Sequence, residues 1–358
     1  MKKYFSWLSV FLFCFLIITP AHANDFFKGE VVEITQEGEE EVFGTKQLFQ
    51  EFDIKIMSGD YKDKIISIEK GDYSIVTEDQ KLDVGDEVVL TKGEEGFYVT
   101  DKYRLGALFG ICLLFVAFAV VFGRKRGFMS LVGLAFSFFI ILKFIVPQIL
   151  NGQNPLVVSL IGGSLISIFS IYLSHGFKKR TTLAVISTIL TFLCAIGFSV
   201  LFVSWANIFG VSSEEVIFLH VGLGDVDLKG LLLGGILIGI LGILDDVTTT
   251  QCATVEEIYK ANKQTSFSKL YTQGMSVGRE HMASMINTLA LAYAGVALPL
   301  FLLFTFNNSQ PLWMIINSEF IAEEIVRTLA GCCALILAVP ISTLLSTYFY
   351  TRKSSSNS

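Results

Sequence analysis

Long blocks of apolar residues, separated by short polar segments, fill the chain from residue 104 to residue 350. A helix needs about 20 predominantly apolar residues to cross the hydrocarbon core of a bilayer. About seven blocks reach that length, so we predict a polytopic α-helical membrane domain over residues 102–351. The expected spans lie near 104–123, 127–149, 155–175, 181–205, 229–250, 281–306 and 321–350. With 52% hydrophobic and 17% charged residues, the composition excludes an ordinary soluble enzyme.

The first 23 residues have the features of a secretory signal peptide. Lys2 and Lys3 precede the apolar run 5–18, and Ala21-His22-Ala23 forms a small-residue cleavage site. An uncleaved anchor helix is the alternative, although an apolar run this short spans a bilayer poorly. Both interpretations deliver the segment from residue 24 onward to the outside of the membrane.

Residues 24–101 predict a small all-β extracytoplasmic domain, an OB-like barrel. Short runs in which polar and apolar residues alternate are separated by turns rich in glycine and aspartate, which is typical of strands. The runs are 29–34, 52–56, 64–68, 73–76, 86–90 and 97–99. No cysteine falls in the segment, so no disulfide is expected. Because it lacks a basic, aromatic face, we interpret it as a scaffold or interaction module that does not bind nucleic acid.

The basic residues predict the orientation in the membrane. With the β-domain outside, Arg124-Lys125-Arg126, Lys178-Lys179-Arg180, the loop 251–280 and the tail 352–358 would all be cytoplasmic. Each contains Lys or Arg, whereas the outer loops after the first span carry only Lys229, which agrees with the positive-inside rule. We therefore expect a multipass protein of the cell membrane, with its C-terminus in the cytoplasm.

Asp245 and Asp246 close the apolar run of the fifth expected span. Carboxylates are costly in lipid, so this pair should face water, a cation or a ligand. About 22 Å of helix separates Asp245 from Gly230, which predicts a position near the inner interface. A solvated helix end is the alternative. Thr248-Thr249-Thr250 forms helix poorly, so a break there is compatible with the sequence as well.

A polar stripe enters the sixth expected span on the same side of the membrane. At 100° per residue its members lie within an arc of about 120°. They are Glu280, His281, Ser284, Asn287 and Thr288. His281 could titrate near neutral pH and could pair with Asp245 or Asp246, so we predict that the aspartates and the stripe form a coupling or gating cluster. The alternative is that Arg279 reaches the interface and His281 only caps the helix.

Glu323, Glu324 and Arg327 begin the seventh expected span at its outer end. Arg327 follows the two glutamates by four and three residues, so an ion pair on one helix face is expected. A charged group this far inside a span indicates a water-accessible outer vestibule, or else a salt bridge that only fixes the helix end.

Several segments resemble signature segments of the YibE/F family. They are LGILDDVT from Leu241, GREHMASMINTL from Gly278, LAYAG from Leu291, LPL from Leu298, EEIVR from Glu323, AVP from Ala338, and LDVGD from Leu82 in the β-domain. The resemblance implies a multipass membrane protein but no particular reaction. It places six polar residues at motif positions: Asp245, Asp246, Arg279, His281, Asn287 and Arg327.

Together these features favour a secondary transporter or ion-coupled permease that works in the lipid bilayer without a cofactor. The alternative is a non-catalytic scaffold or sensor whose exported β-domain binds an envelope protein. An intramembrane hydrolase is a third possibility, because Gly222-Leu223-Gly224-Asp225 spells the motif of intramembrane aspartyl proteases. That motif falls in an outer polar loop and not in a span, so we do not expect an enzyme.

Overall fold

The computed structural model describes residues 25–42, 45–68, 74–75, 80–94, 96–211, 214–224, 226–299, 301–302 and 311–355. The chain divides into two compact units, Met1–Phe118 and Ala119–Ser358. The expected signal segment, residues 1–23, lies outside the described residues, as does Asp225 of the protease-like motif.

The first unit contains a small antiparallel β-sheet, which confirms the all-β prediction for this segment. Its strands are β1 Phe26–Val42, β2 Thr45–Ile56, β3 Ile65–Ile68, β4 Ser74–Ile75, β5 Glu87–Lys92 and β6 Phe97–Lys102. The strand order is β3-β2-β1-β5-β6, and β4 pairs with β2. The described ladders leave β3 and β6 at the two edges, so closure into an OB-like barrel stays a prediction.

Period-two alternation builds the core of this sheet, because successive side chains of a strand point to opposite faces. Phe52, Ile54 and Ile56 of β2 are fully buried on one face. A polar contact fixes the segment before β5 to the same core. The buried Gln50 side chain donates to the Leu82 carbonyl at 3.0 Å and accepts from the Leu82 amide at 2.8 Å.

The rest of the described chain is helical. The helices are α1 Leu105–Ile140, α2 Val146–Leu150, α3 Pro155–His175, α4 Lys179–Trp205, α5 Glu214–Leu223, α6 Leu228–Ala261, α7 Phe267–Val296, α8 Leu312–Asn317 and α9 Glu319–Ser355. A π-helical turn, Ile141–Ile145, connects α1 to α2. Side-chain caps set two of the boundaries, because Asn154 accepts from the Val157 amide before α3 and Asp227 accepts from the Gly230 amide before α6.

Five described segments are long and apolar enough to cross a membrane: Leu105–Leu150, Pro155–His175, Lys179–Trp205, Leu228–Ala261 and Glu319–Arg352. This confirms the helical membrane class but not the expected number of seven spans. Two expected spans, 104–123 and 127–149, fall within the first segment. The expected span 281–306 begins inside α7 and continues into residues that are only partly described.

The first apolar segment is not one straight helix. Arg124 has φ 49° and ψ −135°, which no helical residue adopts. A Cβ atom added to Gly127 would collide with the carbonyl oxygen of Ala119. Residues eight apart in a continuous helix are separated by about 12 Å along its axis, so the chain must fold back at Arg124.

Helix α6 is the centre of the bundle in the second unit. It packs against α3, α4, α7 and α9, and α9 also packs against α4 and α7. Ile236, Leu237, Ile240 and Leu244 of α6 are at most 1% exposed. Its 34 residues extend about 51 Å, longer than the hydrocarbon core of a bilayer, so α6 presents different side chains at its two ends.

Candidate functional site

Helix α6 continues without a break through the threonine run that follows the aspartates. The Thr248 hydroxyl donates to the Asp245 carbonyl at 3.4 Å, and the Thr249 hydroxyl donates to the Asp246 carbonyl at 3.1 Å. A threonine hydroxyl that donates to a carbonyl of its own helix has a hydrogen-bond partner while the backbone stays helical. The broken helix that the sequence allowed is therefore not formed.

The two aspartates have different surroundings. Asp245 is half-buried, and its Oδ1 accepts a hydrogen bond of 2.9 Å from the hydroxyl of Ser167 on α3. Asp246 is exposed on the neighbouring face of α6. One carboxylate is thus held by a neighbouring helix, while the other is accessible.

Both aspartates line a polar space that we name the aspartate cavity. It consists of two adjoining parts of about 410 and 570 Å³, which share Arg126, His175, Asp246 and Thr249. The smaller part adds Asp245 and the hydroxyls of α1 and α3, namely Ser130, Ser170 and Ser174. The larger part adds Arg180, Thr181, Ala184, Thr250, Ala253, Thr254, Glu257 and Ile258.

Ion pairs fix the rim of the aspartate cavity. Arg180 of α4 lies 3.2 Å from Glu256 and 3.9 Å from Glu257, both on α6. Lys260 lies 2.9 Å from Glu257 and 3.4 Å from Glu256. These charges hold the ends of α4 and α6 together, and the aspartates lie about three turns deeper along α6.

The α7 residues of the expected cluster lie elsewhere. Glu280, Ser284, Asn287 and Thr288 are exposed, and His281 is half-buried. None of the five is among the residues that line the aspartate cavity. The Thr288 hydroxyl bonds within its own helix, to the Ser284 carbonyl at 3.0 Å.

The opposite face of α7 is the one that packs on α6 and α9. Its contact is made by glycines: an added Cβ at Gly278 would lie 2.5 Å from Val339 Cγ1 and 2.9 Å from Gln251 Oε1. Gln251 of α6 is buried there, and its Nε2 donates to the Gly274 carbonyl at 2.9 Å and to the Thr343 hydroxyl at 2.7 Å. Small residues permit this close approach of helices.

Sequence reasoning missed three residues that the structure places beside the aspartates: Arg126, Ser167 and His175. Arg126 and His175 lie in segments that the positive-inside rule assigns to the same membrane side as Asp246, and this signal could have identified them. Hydroxyl residues spaced along α3 are typical of ordinary helix contacts, so nothing in the sequence distinguishes Ser167 from its neighbours.

A second space, which we name the glutamate cavity, contains the predicted charged residues of α9. Its volume is about 750 Å³. Arg327 Nε lies 3.4 Å from Glu324 Oε1, and Arg327 Nη2 lies 3.9 Å from Glu323 Oε2, as the residue spacing predicts. The Glu323 side chain is only 4% exposed.

The walls of the glutamate cavity are otherwise mainly apolar. They include Ile141, Ile145, Val146, Ile149, Leu231, Leu232, Ile238, Val296, Pro299 and Phe320. Ile141 and Ile145 are the two ends of the π-helical turn. Ser159 of α3 and Gly234 and Gly235 of α6 complete one side.

A layer of packed apolar side chains separates the two cavities. Ile238 of the glutamate cavity and Asp245 of the aspartate cavity are about 10 Å apart along α6. Between them Ile240 and Leu241 are buried. Gly163 of α3 faces this layer, where an added Cβ would lie 2.9 Å from the Phe192 ring.

The start of α9 is joined to the loop after α4. Glu319 Oε1 accepts from the backbone amides of Phe209, Gly210 and Val211 at 2.8, 2.8 and 3.3 Å. Gly210 has φ 86°, a conformation that glycine adopts without strain. Gly210 also lines the glutamate cavity, so this contact forms part of its rim.

The apolar spans around α6 and the amino-terminal sheet define an α-helical membrane protein with a small antiparallel β-domain. Among the described residues, no group of three or more His, Cys, Asp or Glu side chains could hold a metal ion. The family described as YibE/F-like protein matches residues 111–352, and the chain belongs to that family. No curated protein and no solved structure matches the chain.

Proposed function

We propose that this protein is an ion-coupled transporter of the cell membrane, with no enzymatic activity. The observation that carries the proposal is the pair of cavities on α6, one along its first third and one along its second half, with an apolar layer between them. A transporter that alternates its access needs a space open to each side and a barrier that is thin enough to rearrange.

The ionisable groups support ion coupling. Asp245 is held by Ser167 and lines the same cavity as Arg126 and His175, so its carboxylate can exchange a proton or a cation with water on that side. Charged groups inside membrane proteins mark substrate and ion pathways more often than packing sites, because burying them is costly.

The orientation and the seven spans belong to the proposal as well. We count the two parts of the first apolar segment, before and after the fold-back at Arg124, as two crossings, and α7 as a further one. The basic residues then favour a cytoplasmic aspartate cavity, with the glutamate cavity and the β-domain outside.

The proposal is tested first by cysteine labelling with a membrane-impermeant maleimide. In a chain without its six cysteines, Ile238→Cys should react only from outside the cell and Thr249→Cys only from the cytoplasm. Leu193→Cys, exposed on α4 but lining neither cavity, is the matched control and should react from neither side. Reaction of both cavity positions from one side would contradict two-sided access.

Ion movement is tested in proteoliposomes under an imposed membrane potential. Proton entry is followed with an enclosed pH dye, and radioactive sodium is followed in a parallel arm. Asp245→Asn should abolish the flux of the coupling ion, whereas Glu280→Gln, on the exposed stripe of α7, should leave it intact. A flux that survives Asp245→Asn combined with Asp246→Asn would refute the site and leave the scaffold or sensor alternative.

A further inference from the structure

The charge in the glutamate cavity is unbalanced. Glu323 and Glu324 contribute two carboxylates to its lining and Arg327 contributes one guanidinium. These three are the charged side chains among the described residues that line the cavity. The cavity is therefore an apolar space with a net negative charge at one wall.

Lys143 and Lys229 belong to elements that contribute to the cavity, but neither side chain lines it. Lys143 belongs to the same π-helical turn as Ile141 and Ile145, but its side chain is exposed and is not among the cavity-lining residues. Lys229 donates to the Ser204 hydroxyl at 3.5 Å and likewise lies off the cavity wall.

The volume and the apolar walls of the glutamate cavity further restrict the class of ligand that fits. A volume of about 750 Å³ is in the range of organic-ligand pockets, which are mostly apolar with a few polar groups that fix orientation. A small inorganic ion would leave the isoleucine, leucine and phenylalanine walls without contacts. An organic anion would bring a further negative charge beside Glu323 in a space of low dielectric constant, where like charges repel strongly.

We propose that the glutamate cavity binds amphipathic organic cations: the apolar body packs against the walls from the π-helical turn, α2 and α6, and the positive group faces Glu323 and Glu324. The inference rests on the proposed function, because the bound cation would be the transported substrate. Arg327 contacts both carboxylates, at 3.4 Å from Glu324 and 3.9 Å from Glu323, and the ligand cation would be a second positive charge beside the same pair.

The probe is tetraphenylphosphonium, and the full-length chain in lipid nanodiscs is the sample, with empty nanodiscs as background. Radiolabelled tetraphenylphosphonium should bind saturably and be displaced by the unlabelled cation. Tetraphenylborate, which has nearly the same shape and the opposite charge, should not displace it. Displacement by the borate as efficient as by the phosphonium, or no saturable binding at all, would overturn the proposal.

Substitutions in the cavity test whether the cation binds there. Glu323→Gln should weaken the affinity at least about tenfold, since it removes a buried opposite charge. Gly235→Leu should also weaken binding, because a Cβ there meets no atom within 4 Å and the side chain would occupy the cavity. Gly242→Leu, on the same helix with equal free space but lining neither cavity, is the control and should bind normally. Unchanged affinity in both cavity variants would contradict the assignment.

The cation-binding experiment can succeed or fail independently of the transport experiments. Binding that persists in Asp245→Asn while ion flux is lost would agree with both proposals. Saturable, Glu323-dependent binding in a protein that shows neither two-sided labelling nor ion flux would retain the cation site and reject the transporter.

Discussion

The Ser167 hydroxyl of α3 donates to the Asp245 carboxylate of α6 across 2.9 Å, and this bond joins two helices at the edge of the aspartate cavity. Asp245 lines the cavity, so the hydrogen bond fixes the position of this carboxylate as well as the contact between the helices.

Ser167→Ala should destabilise the protein by about 1–2 kcal/mol, because a hydrogen bond to a carboxylate is lost and Asp245 stays half-buried. The measurement is the thermal unfolding of the purified protein in detergent. Ser164→Ala is the matched control, since the Ser164 hydroxyl bonds within α3 to the Leu160 carbonyl. Equal losses in the two variants would mean that the Ser167 bond contributes nothing specific.

Two glycine substitutions should change stability in opposite directions. Gly278→Ala should cost about 1–3 kcal/mol, because the new methyl group would crowd Val339 and Gln251. Gly242→Ala meets open space and should be neutral or stabilise by up to about 1 kcal/mol, as alanine favours helix over glycine. Unfolding equilibria in bicelles measure both. A stabilising Gly278→Ala would show that α7 is not packed closely on α6 and α9.

Gln251→Leu should lower the free energy of unfolding by about 1–2 kcal/mol, since two interhelical hydrogen bonds, to Gly274 and Thr343, are lost. Thr254→Val is the control, because the Thr254 hydroxyl donates within α6 to the Thr250 carbonyl. The same unfolding measurement applies. A loss below that of the control would indicate that water or another side chain replaces the amide.

The β-domain should lose a stabilising contact in acid. Hydrogen bonds from Lys81 at 2.7 Å and Gln50 at 3.1 Å hold the pKa of the Glu37 carboxyl below its ordinary value. A carboxyl with a lowered pKa in the folded state stabilises fully above its ordinary pKa of about 4.3. The contribution is lost as pH falls from there through the pKa of the folded state.

Lys81→Met should therefore raise the pKa of Glu37 toward the ordinary value, and carbon-detected NMR of the labelled carboxyl measures the shift. Asp63, whose pKa is lowered mainly by its hydrogen bond with Lys55, is an internal control and should titrate unchanged. A Glu37 titration that does not respond to the substitution would show that Lys81 is not its main partner.

Local patterns predicted much of the fold. The alternation around Phe52, Ile54 and Ile56 identifies β2 because one face of a strand must be buried. The spacing of Glu323, Glu324 and Arg327 predicts their geometry because all three belong to one helix.

Contacts between helices could not be predicted in this way. Glu280 and Asn287 form a polar stripe in the sequence, but the rotation of α7 turns Gly274 and Gly278 toward α6 instead. Close packing of glycines decides that rotation, and its energy depends on the shape of the facing helices. Ser167 reaches Asp245 for the same kind of reason: the relative rotation of α3 and α6 is a property of the assembled bundle.

The contact of Glu319 with the amides of residues 209–211 has a consequence for the order of assembly during synthesis. The donors and the acceptor are about 110 residues apart, and the chain emerges from the ribosome amino-terminus first. The loop after α4 is therefore made long before its partner exists, and its three amides depend on water until the last helix is inserted. This part of the rim is completed only near the end of translation, so a chain truncated before α9 would retain α6 and its aspartates but lack a finished entrance to the glutamate cavity.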